Sequence, residues 1–299
     1  MPLIECVPNV SEGRRDDSIA RVAAAIDGPG VALLDRSSDA SHNRTVYTFA
    51  GEPDALQHAV LRLFEAALST IDLRSHEGVH PRMGAVDVVP FVPIEAALME
   101  DCVALARRTG ALVAERFGVP VFLYEEAAVA PERRSLADIR RGGVNGVALR
   151  MTRSEARPDF GPPTPHPTAG ATAIGARPIL IAYNINLASN RLDVAKRIAR
   201  AIRESGGGLK CVKAMGVHLE SGVVQVSMNL TNFRETSIAD VFDAVAAAAA
   251  ADGVRVLESE LVGLAPAAAL PPDPRRRLKL READLDRVLD ARLGRTVTV

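Results

Sequence analysis

An order of elements that occurs twice constrains this chain more than any other feature. In the second half, residues 179–185 read as a buried strand, 192–203 as an amphipathic helix, and 209–219 and 223–230 as two strands joined around Glu220, Ser221 and Gly222. An Ala-rich helix over 238–251 and a strand over 254–262 complete the unit. This is one βαββαβ set, the split arrangement of ferredoxin-like domains, in which helices cover one face of an antiparallel sheet. The first 125 residues repeat it, with strands at 3–7, 31–34, 44–50 and 85–92. A helix over 16–26 carries Ile19, Val22, Ala23 and Ile26 at helical spacing, and a second, over 54–71, follows Pro53 at its start. A further helix over 96–117 and a strand over 119–124 are added to this half or inserted in it.

The length of 299 residues is about twice the roughly 150 expected of one domain. The expected fold class is therefore α/β of the α+β type: two tandem ferredoxin-like βαββαβ subdomains, residues 1–177 and 178–299. Between them, residues 142–177 are dense in Gly and Pro, with Pro158, Pro162, Pro163, Pro165 and Pro167 close together. They read as a linker that the prolines stiffen, or as a long loop kept for function. The tail over 275–293 reads as a helix packed on its own domain, with a homodimer contact left open.

Lys plus Arg is 36 and Asp plus Glu 37, so no global basic field invites nucleic acid or an acidic membrane. An anionic ligand must be met by arginines gathered locally. Eight Phe, three Tyr and no Trp argue against a platform of stacked bases. Cys6, Cys102 and Cys211 lie far apart and suit a reducing cytoplasm. The longest apolar runs fall short of the roughly 20 residues that cross a bilayer.

His76-Glu77-Gly78-Val79-His80 matches the H-E-x-x-H string of zinc peptidases, which works only on a helix. Gly78 inside the string and Pro81 after it oppose that helix. His80-Pro81-Arg82-Met83-Gly84 offers different chemistry. An imidazole exchanges a proton near neutrality, and the Arg82 guanidinium can hold a carboxylate with two parallel hydrogen bonds. A surface histidine in a turn fits the same residues. Residues 35–44 form a second polar cluster, too polar for a tight hairpin. There Asp39 can fix the tautomer of a histidine and Arg44 can meet a carboxylate. Asn9 and Ser11 lie where a strand gives way to a helix, with amides that can face an anion, or with Ser11 as a plain helix cap. Asn184 and Asn186 occupy the comparable place in the second half.

Six strings in order resemble one family, the glutamate formimidoyltransferases. They are Glu5-Cys6-Val7-Pro8-Asn9 with Ser11-Glu12-Gly13; His42-Asn43-Arg44-Thr45-Val46; His76 and Gly78 with His80-Pro81-Arg82-Met83-Gly84-Ala85; Asp159-Phe160-Gly161-Pro162; Gly170-Ala171-Thr172 with Gly175-Ala176-Arg177; and Tyr183-Asn184-Ile185-Asn186-Leu187. The resemblance implies two α/β subdomains with a folate groove between them. It implies transfer of a formimino group from N-formimino-L-glutamate to N5 of tetrahydrofolate, without a metal, and with His80 as acid-base. A folate-binding segment falls on Gly161, Pro162, Pro163, Thr164, Pro165, His166, Pro167, Thr168, Ala169 and Gly170. Asp39 and Arg82 join His80 at the reacting centre, and Asn43, Arg44 and Arg177 join Asn9, Ser11, Asn184 and Asn186 on the substrates. The next step, release of ammonia, falls to a separate cyclodeaminase. Formyl transfer from N-formylglutamate, or a non-catalytic folate or amino-acid binding module, are the rival readings.

Overall fold

The computed structural model describes residues 2–40, 42–78, 82–153, 157–219 and 221–294. Two units divide the chain, Met1–Pro178 and Ile179–Val299.

In the first unit, strands β1 (Leu3–Cys6) and β2 (Asn9–Val10) lie along one line, interrupted at Val7 and Pro8. Both pair antiparallel with β4 (Arg44–Gly51) on one side and β5 (Val86–Glu95) on the other. Pro8 has no N–H for the ladder, and only its carbonyl is used, by the Tyr47 amide at 3.1 Å. β3 (Val31–Asp39) forms the outer edge against β4. Together with helices α1 (Asp16–Ile26) and α2 (Pro53–Thr70), this is the expected βαββαβ order. Alternation explains the layering. Ile4, Cys6, Tyr47, Phe49 and Phe91 face the helices and share a core with Leu56, Val60 and Phe64, while Glu5, between them, lies on the opposite face.

The extra elements are helix α3 (Met99–Phe117), strand β6 (Val121–Glu125), helices α4 (Leu136–Ile139) and α5 (Gly143–Met151), and strand β7 (Thr172–Ala176). β7 inserts between β5 and β6, parallel to both. Residues 142–177 are therefore no mere linker: they supply a helix and a central strand. β7 is made of small residues because both of its faces are covered. A Cβ on Gly175 would sit 2.4 Å from the Tyr124 carbonyl oxygen. The polar stretch 35–44 is also corrected. Asp35 to Asp39 continue β3, pairing through Asp39 opposite Arg44, so the connection is a tight hairpin after all.

The second unit has β8 (Ile181–Leu187), α6 (Leu192–Ile202), β9 (Val212–His218), β10 (Val224–Leu230), α7 (Ile238–Ala251) and β11 (Val256–Val262). Its sheet runs β11-β8-β10-β9, antiparallel throughout, as a ferredoxin-like unit requires. Ser237 and Asp240 close a capping box on α7. The tail is not one helix but two short ones, α8 (Pro274–Leu278) and α9 (Leu289–Arg292). Leu278 and Leu280 are buried in this unit's own core. Among the described residues no helix is long and apolar enough to cross a membrane.

Candidate active site

Beyond β2 the chain leaves the sheet and folds back on the hairpin tip. Ser11 is tied down twice: its hydroxyl donates to the Gly84 carbonyl at 2.7 Å and its amide to Ala85 O at 2.8 Å. Glu12, 4% exposed, accepts from the Arg14 and Arg15 amides at 2.9 and 3.0 Å and from the Arg15 side chain. Burial works against its charge, yet these donors hold its pKa below the usual carboxylate range. The amides of Arg14 and Arg15, just before α1, are thus taken by the chain's own carboxylate, and Ser11 is not the cap.

Gly13 is required by close approach, since a Cβ there would lie 2.3 Å from Asp39 O and 2.5 Å from Arg44 N. Asn43, in the left-handed region at φ 47°, joins three segments: its Oδ1 accepts from Gly13 N at 2.9 Å and its Nδ2 donates to Glu77 O at 2.8 Å. Asp39 grips His42, accepting its amide and meeting its Nδ1, both at 2.8 Å. His80 falls in residues 79–81, outside the described residues, so Asp39 is placed on His42 and its relation to His80 is not described.

What precedes and follows His80 is described. A 3-10 turn over Leu73–Ser75 ends at His76, whose backbone is extended at φ −93°, ψ 125°, and residues 76–78 are not helical. The helix that a zinc peptidase needs is therefore missing from this string's first three residues. Arg82 donates to the His76 ring, nearest at Nδ1, and to His42 O at 3.3 Å. Burial, and then the Arg82 charge, lower the His76 pKa, as suits a ring that accepts from a guanidinium.

Residues 83–85 meet the end of the 161–170 segment. Ala85 N donates to Ala169 O and Ala171 N to Met83 O, both at 2.9 Å. A Cβ on Gly84 would lie 1.9 Å from Ala171 O, and Gly170, at φ 69°, would put one 2.2 Å from Met83 O. The segment closes on itself at His166, whose Nδ1 accepts from Ala169 N at 3.1 Å and Thr168 N at 3.3 Å. His166 therefore carries its ring proton on Nε2 when neutral. Leu73 N donates to Thr168 O at 2.8 Å, fastening the same segment to the turn before His76. Gly161, Pro162, Pro163, Thr164 and Pro167 are exposed, Pro165 half-buried, and Ala169 is buried in the helix-side core.

A charge cluster underlies these loops. Arg44 is half-buried, and desolvation, then Arg140 and Arg82, lower its pKa against the pull of Asp87 and Asp39. Asp87, 2% exposed, accepts from Met83 N at 2.7 Å and faces Arg140 Nε at 3.4 Å. Burial raises its pKa against Arg140, Met83 N and Arg44. Arginines do gather locally in a chain of almost no net charge, as anionic substrates require. The sequence reading missed Asp87 and Arg140. The available signal was Asp87 itself, one charge in the apolar run Ala85-Val86-Asp87-Val88-Val89.

The remaining expected residues make contacts of their own. Asn9 sits in β2 and its amide reaches only Val7 O, at 3.4 Å. Arg177 follows β7, donating to Pro178 O at 3.0 Å and acting electrostatically on Glu5 and Tyr124. Asn184 lies midway along β8 and Asn186 one residue before its last, and they donate to Glu260 and Glu258 at 2.9 and 3.1 Å.

Comparison with known proteins agrees with this arrangement. The formiminotransferase domain, N-terminal subdomain, matches residues 3–177, and the formiminotransferase domain matches residues 182–272. A glutamate formimidoyltransferase of Streptococcus pyogenes serotype M1 is 46% identical over 270 residues, covering 90% of each chain. That of Thermoplasma acidophilum is 43% identical over 303 residues, covering 100% of each. A formimidoyltransferase-cyclodeaminase of Sus scrofa is 44% identical over 276 residues, covering 90% of this chain and 51% of the pig protein. With family matches across both units and full-length relatives above 40% identity, this chain belongs to the formiminotransferase family.

Proposed function

We propose that His80 moves the protons when this enzyme transfers the formimino group of N-formimino-L-glutamate to N5 of tetrahydrofolate. The chain is a folate-dependent one-carbon transferase, a glutamate formimidoyltransferase like its relatives. One observation supports the assignment above the others. Segments spread from residue 11 to residue 171 are fastened to one another on both sides of the His80 loop, through Ser11 to Gly84, Asn43 to Gly13 and Glu77, Arg82 to His42, and Ala85 to Ala169.

The chemistry needs one base that becomes an acid. N5 attacks the amidine carbon, the new C–N5 bond forms, and N5 gives up its proton to the imidazole. The carbon–nitrogen bond to glutamate then breaks as the imidazolium returns a proton to the departing amine. The products are 5-formiminotetrahydrofolate and L-glutamate. Much of the acceleration comes from holding two substrates together, and both carry carboxylates. Arg44 and Arg82 are the guanidinium groups suited to them. The 161–170 segment, with exposed prolines and His166 Nε2–H free to donate, is assigned to the folate.

Incubating the enzyme with N-formimino-L-glutamate and tetrahydrofolate, and following the folate product by its absorbance, tests the reaction. His80→Ala is expected to lower kcat by about 10²-fold or more. A change confined to KM would remove His80 from the proton-transfer role.

A further inference from the structure

One buried carboxylate lies beneath the loops of the site. Asp87 lies on β5 just after the His80 loop, in a run of apolar residues, with 2% of its surface exposed. A charge so buried is costly unless paired and hydrogen-bonded. Asp87 meets both demands, and its partners are informative. Oδ1 accepts from Met83 N at 2.7 Å, and the Gly84 amide also acts on the carboxylate. These two amides come directly after Arg82, so the carboxylate fixes the point where the loop rejoins the sheet. Oδ2 faces Arg140 Nε at 3.4 Å, on the segment leading into α5. Arg44 and Arg82 both feel the same negative charge. Three guanidinium groups from three distant parts of the chain thus share one buried counter-charge.

We propose that Asp87 is the positioning residue of the reaction: it locks the exit of the His80 loop through the Met83 amide and, as the shared counter-charge of Arg44, Arg82 and Arg140, keeps the arginines converged. It acts through His80 and rests on the assignment of proton transfer to that residue. A merely structural Asp87 would affect stability alone. A positioning Asp87 also sets the electrostatics that the imidazole experiences, and that can be measured.

Asp87→Asn keeps an acceptor for Met83 and nearly the same volume while removing the charge. The expected results are a kcat between about ten- and hundredfold lower, and an acid limb of the kcat/KM–pH profile moved to lower pH, because uncompensated cations disfavour the imidazolium. Arg140→Gln removes one of those cations and is expected to move the same limb to higher pH, which also decides the matter if Asp87→Asn does not fold. Opposite displacements of the limb support the proposal. A limb unmoved in the folded variants, with activity lost only in proportion to folded protein by thermal melting, overturns it. His80→Ala, assayed alongside, separates the two levels: if residual activity keeps the parental limb, the His80 assignment fails whatever Asp87 does.

Discussion

The two units share one layout and treat the polar face of their sheets in opposite ways. In the second, β8 runs unbroken through seven residues, and the polar groups opposite the helices satisfy one another. Asn184 donates to Glu260 at 2.9 Å, Asn186 to Glu258 at 3.1 Å, and Gln225 to both Asn186 and Glu260 at 2.9 and 3.0 Å. In the first, the corresponding strand is interrupted at Pro8 and resumes as β2, and the chain beyond Val10, the β3–β4 tip, the turn before His76 and residues 166–171 meet where it leaves the sheet. The charges there are shared: Asp87 acts on Arg44, Arg82 and Arg140, and Asp39 acts on Arg44 as well. The same βαββαβ frame thus yields an amide lattice in one half and a charge-dense assembly in the other. Reactive sites are where such clusters of perturbed charges are expected.

The sharpest way to break this contrast is to add one methyl group to each half. Gly84→Ala places a carbon 1.9 Å from Ala171 O, a collision with backbone that no rotamer relieves. The pairing of residues 83–85 with 169–171 should be lost, at more than about 3 kcal/mol by denaturant unfolding, with turnover abolished. Gly222→Ala meets nothing within 4 Å and pays only for its positive φ of 84°, about 1 kcal/mol, with turnover kept. Equal effects in the two halves would refute the contrast.

A second difference is a carboxyl that lacks an amide lattice. Glu5, on the same sheet face of the first unit, has its pKa pushed by burial from 4.5 up to about 7, against the pull of Arg177. Between those values the folded chain holds a proton that the unfolded chain has lost. Stability therefore falls as pH rises from 4.5 to 7, by about 3 kcal/mol in all. Glu5→Gln should erase that slope, matching the parent near pH 4 and exceeding it by up to about 3 kcal/mol at pH 8. Unfolding by urea at the two pH values measures it, and an unchanged slope would assign it to other groups.

These contrasts also show what a sequence can carry. The helices Asp16–Ile26 and Ile238–Ala251 were legible to the residue, because spacing of apolar side chains is local information. β7 was not. Thr172-Ala173-Ile174-Gly175-Ala176 has little strand propensity, and becomes a strand because β5 and β6 pair with it on both sides. α5 was hidden for a related reason, since Gly143 and Gly146 read as turn residues until α5 packs Val147 and Met151 over Phe122. Asn43 and Arg44 were found through their motif, whereas Asp87 was missed because its meaning lies in Arg140 and Arg44, 53 and 43 positions away by residue number.

Arg82→Ala tests whether the excess of arginines serves the substrate. Removing a charge-assisted pair costs about 1.5–3 kcal/mol, so KM for N-formimino-L-glutamate should rise between about ten- and hundredfold. Steady-state kinetics decide, and an unchanged KM would confine Arg82 to its contacts within the chain, His76 and the His42 carbonyl among them.

The smallest effect belongs to the second unit, and it probes whether that lattice is as closed as its hydrogen bonds suggest. Gln225→Met conserves shape and removes two donated bonds. Glu260 keeps Asn184 and Arg281 as partners, the latter at 2.7 Å, so its charge stays compensated. Asn186 Oδ1 loses the Gln225 donor and is 6% exposed as a residue, so little water can replace it. A cost of about 1 kcal/mol follows, seen as a lower melting temperature, with kcat and both KM values unchanged if the lattice is only structural. A rise in KM for tetrahydrofolate with the melt unchanged would mean that this face takes its last hydrogen bonds from a substrate, and the two halves would then differ in the ligand they hold rather than in whether they hold one.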